Sequence, residues 1–176
     1  MNGKSPLAHR QGGKGFTLLE LLVVCAIVGV LATAALGRLW DLQADVEKVM
    51  AEQVLGALKS AARIRAAGLL SASRWDEFRS MPQGNPFDWL EEQPGNYRGE
   101  LKGVGEPGNW YFDKNNATTI YYIKHADAFR PREEEPVMRF RVVGFDSAGR
   151  QTSQGGFSWV GVRPLADYVW RGKIVR

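Results

Sequence analysis

The stretch that decides the fold is "KGFTLLELLVVCAIVGVLATAAL", from Lys14 to Leu36. Between Phe16 and Leu36 it runs for 21 residues with Glu20 as its only charge. At 1.5 Å of rise per residue, a helix of that length covers about 30 Å, the hydrocarbon thickness of a bilayer. Arg38 and Trp40 follow at once, and Lys14 stands just before the run, residue types that anchor at a membrane interface. Residues 1–15 carry Lys4, Arg10 and Lys14 and no acid. That arm is expected to stay cytoplasmic, which puts everything after residue 37 on the far side.

A carboxylate inside such a run needs a reason, and two readings compete. In an ordinary secretory signal, Ala32-Thr33-Ala34 would be the cleavage site and a soluble periplasmic protein would be released. Glu20 then only interrupts the apolar region. In the other reading the cut falls between Gly15 and Phe16, which keeps the apolar helix and removes the arm. Glu20 then lies about one turn from a new α-amino group. An ionised carboxylate in lipid costs at least ~2.5 kcal/mol on insertion scales, so it wants a cationic partner. The amine of a neighbouring copy supplies one. The second reading accounts for both Gly15 and Glu20.

Lys14-Gly15-Phe16-Thr17-Leu18-Leu19-Glu20-Leu21-Leu22-Val23-Val24 resembles the N-terminal signature of type IV pilins and of type II secretion pseudopilins. The resemblance implies a prepilin. A membrane peptidase and methyltransferase cuts after Gly15 and methylates Phe16, and Glu20 governs subunit registration in a filament. Gly29 matches a glycine usual in the family's helix. Many members have a proline just after the apolar stretch, where this chain has Gly37, which permits a bend without enforcing one. The implied partners are the peptidase, other pilin subunits through the helix, the inner-membrane assembly platform and inner-membrane lipid.

The remaining composition narrows the alternatives. The net charge is +4, and removing the three cations of residues 1–15 leaves +1 from Phe16 onward. The excess sits in a short N-terminal arm and not in a concentrated basic patch, which argues against nucleic acid. Cys25 is the only cysteine and lies in the apolar run, so no internal disulfide can form. His9 and His125 have no metal-ligand spacing around them. GxSxG, P-loop and HExxH patterns are absent from the sequence, which points to no enzyme, no metal and no cofactor.

The chain divides into a leader (1–15), a transmembrane half-helix (16–37), an amphipathic half-helix (38–70) and a head (71–176). The amphipathic stripe is Leu39, Leu42, Val46, Val49, Met50, Val54, Ala57, Leu58, Ala61 and Ile64. The helix is expected to run from Thr17 to Ala67 and to stop near Gly68. Residues 71–109 read as irregular, apart from a helical turn at "NPFDWL" whose Phe87, Trp89 and Leu90 cap the helix. Strands are expected at 110–112, 118–124, 137–145 and 157–162, with "DKNNA" as a hairpin loop and an edge strand at 97–101. The fold class is α+β, a long helix packed on a small antiparallel sheet.

"DSAG" (146–149) reads as a plain turn, "RPREEEP" (130–136) as a solvated loop, and Asn116-Ala117-Thr118 as a sequon of low specificity. The segments "NPFDWL", "NYRGE", "WYFD" and "TIYYIKHADAF" resemble minor pilins of the mannose-sensitive haemagglutinin type. No cysteine follows Cys25, whereas many major pilins carry a C-terminal pair. The acidic calcium loop of major pseudopilins is also lacking. The combined reading is a minor pilin, with a secretion pseudopilin as its alternative.

Overall fold

An apolar run without glycine or proline clusters propagates as helix, and Thr17 starts it. The computed structural model describes residues 16–130, 136–152, 156–170 and 172–175. Helix α1 spans Leu18–Ser71, 54 residues. It contributes to both of two compact units, residues 1–41 and 42–176. Among the described residues of the first unit the apolar side chains of the helix face outward, as in Leu18 (82% exposed) and Leu31 (64% exposed).

In the second unit α1 buries Ala44, Glu47, Ala51, Leu55, Leu58, Ala62, Ala66 and Leu69. These follow one another in steps of three and four, the repeat of a single helix face. This corrects the expected stripe. Of its members in this unit, Leu58 and Ala61 are buried and Val54 is half-buried, whereas Leu42, Val46, Val49, Met50, Ala57 and Ile64 face outward. Counting the largest apolar residues picked the wrong face, because the sheet packs close against small ones.

The helix also ends later than expected. Gly68 is inside it, and its carbonyl accepts from the Ala72 N–H at 3.1 Å. The stop comes at Ser73, whose φ of 56° is left-handed. Arg74 N–H donates to Leu69 O (2.9 Å) and Ser73 N–H to Leu70 O (3.1 Å), the paired bonds of a Schellman cap.

The segment expected to be irregular is more ordered than its glycines and prolines suggested. It holds a short helix α2 (Trp75–Ser80) and two 3-10 turns, Met81–Gln83 and Pro86–Trp89. Asn85 caps the second turn by accepting from Phe87 N–H at 3.2 Å and also donates to the Tyr97 hydroxyl at 2.9 Å. Phe87 is fully buried against Tyr97, their rings 3.9 Å apart, and Trp89 and Leu90 pack at the rim of the same core.

Among the described residues nine strands follow: β1 (Tyr97–Glu100), β2 (Trp110–Asp113), β3 (Thr118–Tyr122), β4 (Phe129–Arg130), β5 (Val137–Phe145), β6 (Gln151–Thr152), β7 (Trp159–Pro164), β8 (Tyr168–Trp170) and β9 (Lys173–Val175). The larger sheet has the order β1-β2-β3-β5-β6, with β7 on the other side of β5. The smaller sheet is β4-β8-β9. The four expected strands are present as β2, β3, β5 and β7, mutually antiparallel where they pair. The expected edge strand β1 joins β2 in parallel, so the sheet is mixed. Strands β4, β6, β8 and β9 were not legible, being two or three residues each.

One face of the larger sheet meets α1 through Trp110, Tyr121, Met138, Phe140, Val142, Val160 and Val162. The other carries Tyr111, Ile120, Tyr122 and Val137. A loop lies over that second face, and a Cβ on its Gly105 would come 2.3 Å from Tyr122 Cε2. Asp113 turns the β2–β3 hairpin by accepting from the amides of Asn115 and Asn116. Asp146 does the same for "DSAG". The Arg150 backbone N–H first, then the Arg150 side chain and the Ala148 and Gly149 amides, hold its carboxyl below the usual range against some desolvation. Of the loop 130–136, residues 131–135 lie outside the described residues.

Candidate assembly site

The site begins at Phe16, which precedes the helix and is 71% exposed. Gly15 and Lys14 lie outside the described residues, as does the side chain of Trp40. Thr17 is the N-cap: its Oγ1 accepts from the Glu20 N–H at 3.2 Å, and its carbonyl accepts the first helical bond from Leu21 at 3.1 Å. Thr17-x-x-Glu20 is therefore spaced as a capping box. That signal was legible in "TLLE", and the sequence reading passed over it in favour of the carboxylate alone. Glu20 is exposed in the first turn, where the helix dipole favours negative charge.

Beyond Glu20 the helix is long and apolar enough to cross a membrane, and none of its most apolar window is buried within the chain. Polar atoms in this run are satisfied locally: Thr33 Oγ1 donates to Val30 O at 2.8 Å. Cys25 is exposed and free. A Cβ built on Gly29 or Gly37 would meet nothing within 4 Å, so neither glycine is required by close packing within the described chain. Both are helical, as is Arg38, which is exposed. The structure thus places Glu20, Gly29, Gly37 and Arg38 along one helix with Phe16 just before it, without bringing them together into a pocket.

A second polar centre was missed. Glu47 occupies a core position of α1, 7% exposed. It accepts from Tyr121 OH (2.9 Å), Lys124 N–H (2.6 Å) and His125 N–H (2.9 Å), and His125 Nδ1 lies 2.6 Å away. The carboxylate so holds the end of β3 against the helix, and truncating it would strand buried donors. Burial first, then the charge of Glu47, pushes the Tyr121 hydroxyl well above its ordinary pKa. The only sequence signal was an acid in phase with Ala44, Ala51 and Leu55. Among the described residues, no three His, Cys, Asp or Glu side chains group as a metal site.

An exposed apolar helix long enough to cross a membrane, with a carboxylate in its first turn, is the feature that the comparisons with known proteins address. The prokaryotic N-terminal methylation motif matches residues 10–36. Two fimbrial proteins of Pseudomonas aeruginosa are each 45% identical over 49 residues, covering 28% of this chain and 32% of the relative. The chain therefore spans about a third of the length of those fimbrial relatives. A type IV narrow pilus major component, PilA5 of Thermus thermophilus, is 25% identical over 116 residues, covering 66% of this chain and 84% of the relative. No solved structure matches the chain significantly. The chain is thus similar to type IV pilins through its N-terminal methylation motif and, at lower identity, over most of the length of one pilus component.

Proposed function

We propose that the chain is a prepilin cut between Gly15 and Phe16, N-methylated on Phe16 and assembled through its N-terminal helix into a filament. Residues 16–37 hold it in the inner membrane as a single pass, and the head, 71–176, stands on the periplasmic side, joined by the amphipathic half-helix 38–70. A prepilin peptidase and methyltransferase processes it, and an inner-membrane assembly platform moves it into the filament. Glu20 pairs with the terminal amine of a neighbouring subunit and sets registration. Gly29 and Gly37 give the helix latitude to bend, and Lys14, Arg38 and Trp40 mark its membrane boundaries. The outward row Leu42, Val46, Val49, Met50 and Ile64 supplies further apolar surface for subunit contacts. A minor place in the filament is favoured by the middle region's resemblance to minor pilins. The protein acts by assembly and not by catalysis.

The observation that carries this reading is the match of the methylation motif to residues 10–36, with Glu20 three residues beyond the helix cap. Mass spectrometry of the N-terminal peptide from membrane-extracted protein tests it. The expected peptide begins at N-methylated Phe16, and a Gly15→Leu variant keeps the arm. A chain beginning at Ala35 would establish the secreted alternative.

A further inference from the structure

Three cations from distant parts of the chain meet beside the edge strand β7. Lys59 and Arg63 lie one turn apart on α1, and Arg163 comes from β7. With Trp159, Gly161 and Val162 they line a cavity of about 140 Å³. Among the described residues no carboxylate lies within ion-pair distance of any of the three. Glu52, whose charge Lys59 feels, is itself paired with Lys48 at 3.6 Å. Partial burial first, then the charges of Arg163 and Arg63, hold the Lys59 ammonium below its ordinary pKa. Folding has therefore gathered like charges that repel one another, and a bound anion would reverse that repulsion.

The cavity wall is equally specific. Trp159 remains 39% exposed while its ring stacks on Phe145 at 4.0 Å and 11°. The Arg163 guanidinium lies 5.3 Å from the Phe145 centroid. Gly161 is in contact with both rings: a Cβ there would sit 3.2 Å from Phe145 Cε2 and 3.3 Å from Trp159 Cζ3. A side chain at that position would crowd the aromatic pair and narrow the cavity.

We propose that this pocket binds a phosphate-type oxyanion, gripped by Lys59, Arg63 and Arg163, with the Trp159 ring available to the group that carries it. Guanidinium forks match such oxygens in pairs, and the ammonium adds a point charge. Whole small-molecule sites occupy roughly 300–1,000 Å³, so this cavity suits a head group better than an entire ligand. The anion can arrive free or as part of a phosphodiester strand, and both present the same oxygens. The near-neutral charge count from Phe16 onward concealed the site, because Arg163 lies about a hundred positions from Lys59 and Arg63.

The test uses the full-length chain in neutral detergent micelles at low salt. Sodium phosphate and a fluorescein-labelled twelve-residue oligothymidylate are titrated separately, following the tryptophan indole resonances and the label's anisotropy. Phosphate is expected to shift the Trp159 indole signal, identified as the one lost in Trp159→Phe. The Lys59→Gln/Arg163→Gln pair is expected to weaken binding at least tenfold, with Arg63→Gln weakening it in the same direction. The unfolding midpoint of these variants should hold or rise, since repulsion is relieved, and filament recovery should be unchanged.

If the oligonucleotide binds more tightly than phosphate, with a slope of log K against log salt near −2 as expected for about three contacts to a single strand, the source is a strand. If it binds no tighter, the source is the free anion, and either result sustains the site. Absence of any Trp159 shift with both probes, or wild-type binding by the double variant, would overturn the proposal.

Discussion

Glu20 sits at the third position of a helix capped by Thr17, and that position gives the carboxylate two separable tasks. Locally it complements the helix dipole and the cap, a contribution of about 0.3–1 kcal/mol. In the proposed filament it pairs with an amine of another chain. Glu20→Gln keeps a side chain suited to the capping box but removes the charge, whereas Glu20→Leu removes both. Each variant should be inserted and cut normally, because the scissile bond is unchanged and neither adds a charge to the apolar run; for leucine, insertion becomes easier by at least ~2.5 kcal/mol. Each should be strongly depleted from sheared filaments, with Glu20→Asp intermediate. Wild-type recovery of the glutamine variant would show that the charge is not the registration element. At Tyr121 the sign of the pH effect follows from the raised pKa. The stability it contributes is complete below about pH 10, its value in the unfolded chain, and is lost as pH rises towards the folded value. Urea unfolding across pH 9–12 should show stability falling above pH 10, and Tyr121→Phe should reduce that slope by up to about 1.4 kcal/mol per pH unit. An unchanged slope in the variant would place the coupling elsewhere.

At the scale of elements, the second part of α1 shows why periodicity alone left two answers. Leu42, Val46, Val49 and Met50 form as regular a row as Ala44, Ala51, Leu55 and Leu58, and only the second is buried. A sequence carries the repeat of a helix but not the depth to which a facing sheet approaches it, and the alanines decide that depth. Leu55→Ala should therefore destabilise the head by about 2–5 kcal/mol, and Val49→Ala should stay within about 0.5 kcal/mol. Unfolding of the two variants by urea, followed by near-ultraviolet dichroism, checks this; the reverse order would restore the expected stripe. Strands β2, β3, β5 and β7 were readable from their β-branched and aromatic texture. The parallel pairing of β1 was not, because a four-residue strand at a sheet edge carries no mark of its partner's direction.

For the whole molecule, the N-terminal motif was the most legible part, since one charge in an apolar run is a local signal. Glu47 with His125, and the three cations beside β7, were hidden because they are assembled across about 80 to 100 positions of chain. All of the buried face of α1 that meets the sheet lies at or beyond Ala44. A fragment from Leu42 onward should therefore be soluble and folded, with well-dispersed amide resonances. Insolubility, or a collapsed spectrum, would show that the sheet depends on residues before Leu42 or on other subunits.

The smaller sheet joins β4 to β8 and β9, and Val175 of β9 is buried in the main core. A chain emerging from its N-terminal end cannot close that sheet until its last strand is available, however early the helix forms. Until then Phe129, in β4, lacks its later neighbours Tyr168 and Trp170. Long-range pairings of this kind are slow to form and leave apolar surface open meanwhile. If the helix is already lodged in a bilayer, each unfinished head is tethered in two dimensions and kept from free mixing with others in solution. On the proposed anchoring, the order of the strands makes the membrane a holding place for heads whose last strand has yet to pair.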